Sequence, residues 1–352
     1  MMKRISIDYL AHRQTDLALR SHLGLNTERE LLDYLGADYF YLPGRDISQN
    51  EGALPFYKGG LPDMTDTERV CPLGIHWHRG AYDSKFTVDE AISGPFQNPD
   101  LKEREILDFH WPKAGDFDFS PLRAEADANL KRIRIGGLWT GIMGDSYRMH
   151  GFENFLLNIA LNPEVMHTLI DRMTDMYLEL NDKYFSALRG KMEIWFFGND
   201  FGSQESMLMG MEMWADFFFE NIRKLCALAH SYNLKVMMHS CGAISELIPL
   251  LIEAGVDILD PVQVTATGMH PADLAEKFGG KITFHGGIDT QKVLPYGTTE
   301  DVQNHVRDVV GAFAPTGRYI FAPSQILGSD IPIGNILTMY KTIRGINSVR
   351  MA

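Results

Sequence analysis

From residue 193 onward the chain keeps a regular beat, short apolar runs alternating with longer amphipathic ones, and no other feature restricts its fold so much. "EIWFFGND" (193–200) reads as a buried strand ending in polar residues, followed by a helix near 212–231. "LKVMMHS" is the next strand and "ISELIPLLIEAG" the next helix, closed by Gly255, which can take the left-handed turn of a helix C-terminus. "VDILDP", a helix at "PADLAEKFG", the strand "KITFHGG", a helix around 299–313, the strand "RYIFAPS" and a last helix from about Pro332 continue the series. Strands separated by helices at this spacing pair in parallel, because each crossover returns the chain to the same end of the sheet.

Each strand stops in glycine or small polar residues: Gly198-Asn199-Asp200, His239-Ser240-Cys241, Asp260-Pro261, His285-Gly286-Gly287 and Pro323-Ser324-Gln325. In a closed parallel barrel such ends meet on one face, where chemistry is found. No G-x-G-x-x-G follows a predicted strand, which disfavours an open dinucleotide-binding sheet. The expected fold is an α/β, TIM-type (β/α)8 barrel forming a single domain over residues 1–352. Residues 131–352 would supply the main βα units, with "IRIGGLWTGIM" (133–143) as a further strand. Residues 1–130 read as an elaborated N-terminal region. There Thr27 and Glu30 have capping-box spacing before a helix and strand, "VCPLGIHWHRGAYDSKF" forms a hairpin over the barrel, and "FHWPKAGDFDFSPLRAEADANL" leads through prolines into a helix.

The balance of 33 Lys plus Arg against 46 Asp plus Glu gives a formal charge of −13, a field that repels phosphate backbones. No basic run offsets it, so a nucleic-acid partner is not expected. The longest apolar runs fall far short of the ~18 residues that a membrane span needs. Three cysteines, Cys71, Cys226 and Cys241, are too few and odd in number for a disulfide framework, which implies a reducing compartment. "MMKRISIDYLAHRQTD" turns polar too soon for the apolar core of a signal peptide, so the expected location is cytoplasmic.

Chemistry is concentrated at "MMHSCG" (237–242). Residues i and i+2 of a strand point to the same face, so His239 and Cys241 emerge side by side. Imidazole nitrogen and thiolate sulfur are zinc donors at ~2.0–2.3 Å, although a core histidine beside a small buried cysteine has the same pattern. Glu205 and Asp200, at the preceding strand end, are candidates for a third ligand, and either could instead cap a helix or accept from substrate. Asp200 or another acid nearby also suits protonation of a leaving group, and His285, two strands on, either lines the same face or donates to a backbone carbonyl. His76 and His78 share the i, i+2 geometry but sit among Arg and Tyr residues of the hairpin. The run "ESMLMGMEMW" (205–214) places Met207, Met209 and Met211 directly after a strand end, where flexible thioethers offer an adaptable apolar surface for a cofactor or partner.

"GNDFGSQESMLM", "HSCGAISELIPLLIEAGVDILDPVQ", "FHGGIDTQKVLPYGTTEDV" and "YIFAPSQILGSDIPIGNIL", with a weaker match at "SYRMHGFENFLLNIALNPEVM", resemble the uroporphyrinogen decarboxylase superfamily in its own order. The resemblance spans roughly residues 130–350 and implies a TIM-type barrel. One branch holds metal-free decarboxylases that bind porphyrinogen carboxylates through an Arg-x-x-x-Arg pair, and no such pair occurs in this chain. The other branch holds zinc-dependent, corrinoid-linked methyltransferases with an H-x-C pair at this strand end, matched by His239 and Cys241. The resemblance therefore implies zinc, a corrinoid carried by a separate protein, and a small methylated or methoxylated substrate. Decarboxylation without metal is the alternative. Several of those methyltransferases add a cysteine from the last strand end, where this chain has Ser324 and Gln325. The third ligand is then another residue, such as Glu205.

Overall fold

The computed structural model describes residues 3–43, 56–59, 67–83 and 86–351. Its core is a TIM-type barrel of eight parallel strands, as the alternation predicts. They are β1 (Ser6–Ile7), β2 (Tyr39–Tyr41), β6 (Ile133–Gly136), β7 (Ile194–Gly198), β8 (Lys235–His239), β9 (Ile258–Val262), β10 (Thr283–Ile288) and β11 (Tyr319–Pro323). A separate antiparallel sheet contains β3 (Glu68–Val70), β4 (His76–Asp83) and β5 (Phe86–Ser93). The barrel order is β1-β11-β10-β9-β8-β7-β6-β2. Asp38 joins the two ends: its backbone N–H donates to the Ile7 carbonyl (2.7 Å), and its carboxylate accepts from the Ile7 N–H (2.8 Å).

Strand alternation decides what fills the barrel. Tyr39, Ile135, Ile194, Phe196, Met237, Ile258 and Ile320 form one buried cluster, the barrel interior. Their neighbours Trp195, Phe197, Val236, Met238, Leu259, Phe284 and Phe321 belong to the larger cluster shared with the surrounding helices. Both faces of β7, β8 and β9 therefore carry apolar residues, which explains the near-continuous hydrophobic runs. Two residues on from the interior positions the same parity reaches Tyr41, His239 and Asp260, and the interior set turns polar at the carboxyl ends.

The predicted stretch 133–143 is strand only to Gly136. Gly137 then takes φ +86°, and a Cβ there would lie 2.0 Å from the Trp195 ring, so the chain turns out of the sheet. Ile142 and Met143 are buried in the helix Ile142–His150 instead. That helix carries the antiparallel sheet: Phe96 N–H donates to the Met149 carbonyl (2.9 Å), and the Arg148 guanidinium lies 5.5 Å from the Trp77 ring centre. The predicted 212–231 helix spans Met211–Ser231 and widens to a π turn at Ala215–Phe219, with Phe217 and Phe218 buried. Thr27 and Glu30 form the expected capping box.

β1 has only two residues, and the helix Ile333–Met351 compensates. The buried Asn347 amide accepts from Ile5 N–H (2.9 Å) and donates to Ile5 C=O (2.9 Å), as a neighbouring strand would. Asn347→Ala leaves both backbone groups unpaired in the interior. It should cost about 2–4 kcal/mol, whereas exposed Ser348→Ala on the same helix should change stability by less than about 0.5 kcal/mol. Urea unfolding monitored by circular dichroism checks the difference.

Candidate metal centre

The interior pattern delivers His239 to the end of β8, in register with Gly198 of β7 and Asp260 of β9. Gly198 has to be glycine, because a Cβ would meet the Trp139 ring at 2.5 Å and the His239 Cβ at 2.7 Å. Trp139 in turn lies against the imidazole, ring centres 5.5 Å apart. Past His239 the chain breaks at Gly242, which has φ +92° and packs on the backbone of Gly202 and Ser203. The Ala243 N–H donates to the Ser203 carbonyl (2.7 Å), and Gly242 N–H donates to the Gln263 side chain (2.8 Å). The first bond ties the loop after β8 to the loop after β7, the second ties it to the residue after β9, and the Cys241 N–H reaches Asp200 (3.2 Å).

Asp200, His239 and Cys241 each place a ligand atom within 4.8 Å of the other two. Three donors at ~2.0–2.3 Å from one tetrahedral ion lie about 3.3–3.7 Å apart, so small side-chain adjustments would close the set on zinc. His239 Nε2 stands 3.3 Å from an Asp200 oxygen, and that oxygen also accepts from the Cys241 N–H (3.2 Å). The His239 side chain is 10% exposed and that of Asp200 56%, so the group opens to solvent on the Asp200 side. Among the described residues no other three His, Cys, Asp or Glu side chains gather this way.

Behind the imidazole the polar interior continues. His239 Nδ1 lies 2.6 Å from one oxygen of Asp260, whose other oxygen is 2.6 Å from His285 Nδ1. His285 Nε2 is 2.9 Å from Asp8, which also accepts from the Tyr41 hydroxyl (2.6 Å). All four of His239, Asp260, His285 and Asp8 are buried. Burial by itself would raise the Asp260 pKa, but the charge of His285 and the bonds from both imidazoles bring it down to about 2. Burial opposes the charged form of His285, and Asp260 and Asp8 overcome it, lifting its pKa to about 9. For His239 burial is likewise outweighed, by Asp200, Asp260 and Cys241, and its pKa stands well above the ordinary value. For Asp200, at the solvent edge of the group, partial desolvation is outweighed by His239 and the Cys241 amide, which hold its carboxyl far below the usual range.

These positions revise several expectations. Asp200 lies among the donors, where its neighbours favour the ionised carboxylate over the protonated form that a leaving-group acid needs. Glu205 is exposed, its N–H turned onto the Ser203 hydroxyl (3.2 Å), and it stands outside the donor group. Asp200, the other candidate, stands within that group. His285 sits behind Asp260, one residue removed from His239. Met209 is buried in the core, while Met207 and Met211 are half-buried against it. Ser324 is buried and donates to the Val262 carbonyl (2.8 Å), and Gln325 accepts from the Ile326 N–H (3.0 Å). His78 pairs with Glu68 (2.8 Å) on the separate sheet. Sequence patterns missed Asp8 and Trp139. The alternation in "ISIDYL" is the one signal that could have flagged Asp8, as the polar end of a very short strand.

A Methylated-thiol–coenzyme M methyltransferase from Methanosarcina mazei is 26% identical over 168 residues, 46% of this chain. The match spans 40% of that protein's length. The solved structure of a methyltransferase from the same organism superposes over 98% of this chain and 95% of its own, with a TM-score of 0.65 at 11% identity, a likeness of fold. The uroporphyrinogen decarboxylase (URO-D) profile matches residues 128–346, which contain six of the eight barrel strands and all three donors. The chain belongs to the uroporphyrinogen decarboxylase (URO-D) family.

Proposed function

We propose that this chain is a zinc-dependent methyltransferase that moves a methyl group between a methoxylated or otherwise methylated small molecule and a corrinoid carried by a separate protein. The observation that carries the reading is the convergence of Asp200, His239 and Cys241 at the open end of the barrel. The donor set fits zinc: nitrogen, sulfur and oxygen atoms from three strand-end residues, one of them oriented by a carboxylate on its far nitrogen. The methyltransferase named above supports methyl transfer over decarboxylation.

Zinc held there would supply a Lewis acid for the heteroatom that carries the methyl group, and the partner's reduced cobalt would supply the nucleophile. Asp260 holds the proton on His239 Nδ1 and leaves Nε2 as the donor. Cys241 gives up its thiol proton on binding metal. Asp200 adds a hard oxygen ligand, so the set suits an ether or alcohol oxygen better than an all-sulfur set does. The name of that Methanosarcina relative favours a methylated thiol as donor instead, so both substrate classes belong in the assay. Trp139 covers one side of His239 and keeps water from it. Half-buried Met207 and Met211, on the segment leaving β7, offer the partner an apolar surface that can adjust to its shape.

Two outcomes are expected. Untagged protein purified without chelator should contain about one zinc per chain by mass spectrometry. Cys241→Ala and Asp200→Ala should lose most of it, and Glu205→Gln should keep it. No zinc in the wild type, even after zinc is added back, would sink the reading. In a coupled assay with a reduced corrinoid protein and methoxylated or thiomethyl donors, His239→Ala should lower methyl transfer at least ~100-fold. Transfer unchanged by that substitution would place the chemistry elsewhere.

A further inference from the structure

Asp8 and His285 come from opposite ends of the chain, yet both reach the same polar layer behind His239. Asp8 stands at the end of β1, where its N–H donates to the Phe321 carbonyl (2.8 Å), and His285 lies on β10. The partners of the two carboxylates frame the His285 ring. Asp8 accepts from the Tyr9 N–H on one oxygen (2.8 Å) and from the Tyr41 hydroxyl on the other (2.6 Å), and His285 Nε2 lies 2.9 Å from that second oxygen. Asp260 has His239 Nδ1 on one oxygen and His285 Nδ1 on the other, each at 2.6 Å. With both carboxylates ionised, His285 donates from both ring nitrogens and is an imidazolium clamped between them.

We propose that Asp8 and His285 are positioning residues for the metal centre: the clamped imidazolium fixes the plane of the Asp260 carboxylate, which in turn fixes the ring and tautomer of His239. The assignment rests on the zinc reading above and goes one step further from the ion. A carboxylate that orients a metal-binding histidine raises its basicity, and loss of such an outer partner typically costs ~10–100-fold in metal affinity. Here the orienting carboxylate is itself free to rotate unless its second oxygen is held. His285 holds it, and Asp8 holds His285. This gives the first strand a share in the site although it supplies no ligand.

The test is the zinc dissociation constant of the full chain, measured by competition with a chromophoric chelator, for wild type, Asp8→Asn, His285→Gln and Ser324→Ala. Circular dichroism and thermal melts establish which variants are folded. Asp8→Asn and His285→Gln should bind zinc roughly 10–100-fold more weakly. Ser324→Ala removes a buried hydroxyl that, among the described residues, donates to the Val262 carbonyl, and should stay within about twofold. Folded Asp8→Asn and His285→Gln proteins with wild-type affinity would overturn the assignment while leaving the zinc site intact. A wild type that binds no zinc would overturn the reading beneath it. Long-range nitrogen–proton NMR spectra of the wild type decide the matter even if a variant fails to fold. Two protonated ring nitrogens on His285 at neutral pH are expected, and a singly protonated ring would overturn the clamp.

Discussion

Closure of eight parallel strands around one interior is the constraint on which the rest of the molecule depends. Once the ring is shut, every second side chain of every strand must share a single narrow space, and the others must face helices. The Asp38 link between β1 and β2 completes that ring. Apolar residues fill its lower layers, from Tyr39 to Ile320. At the carboxyl ends the same inward positions carry Tyr41, His239, Asp260, His285 and Asp8, and their polar atoms find partners in one another. A polar group at such a depth is costly unless paired, so the five side chains stand or fall together.

Above that layer the loops after β7 and β8 do separate work. Gly202 and Gly242 let the two backbones touch, and the contact brings a carboxylate and a thiol to the exposed nitrogen of His239. The site is thus built in two tiers. The lower tier is rigid, buried and made of interior strand positions. The upper tier hangs on glycines and opens on the Asp200 side. That division suits the proposed zinc-dependent methyl transfer, in which an ion would be held firmly while a substrate and a partner's cofactor are admitted.

Much of this was legible in the chain. Period-two alternation and the glycine stops mark the strands from β7 to β11, and the i, i+2 rule puts His239 and Cys241 on one face without any knowledge of neighbours. Both are local facts, carried by a few consecutive residues. The stop at Gly136 was not legible, because the apolar run continues through Leu138 and Met143. What ends the strand there is the Trp195 ring, contributed by the next strand. Spacing put Glu205 forward as the third partner, with Asp200 as the other candidate. The packing of Gly242 on Gly202 is what sets Asp200, and not Glu205, beside Cys241.

The sequence by itself determined the fold class, the identity of the strand ends and the pairing of an imidazole with a thiol, because each follows from backbone periodicity within a segment. Tertiary structure decided which carboxylate joins that pair, which histidine stands behind it and why a two-residue first strand matters. Asp8 and His285 are 277 positions apart and meet only because the barrel closes. Contacts of that kind depend on where the ring places each strand, and no window of consecutive residues contains that information.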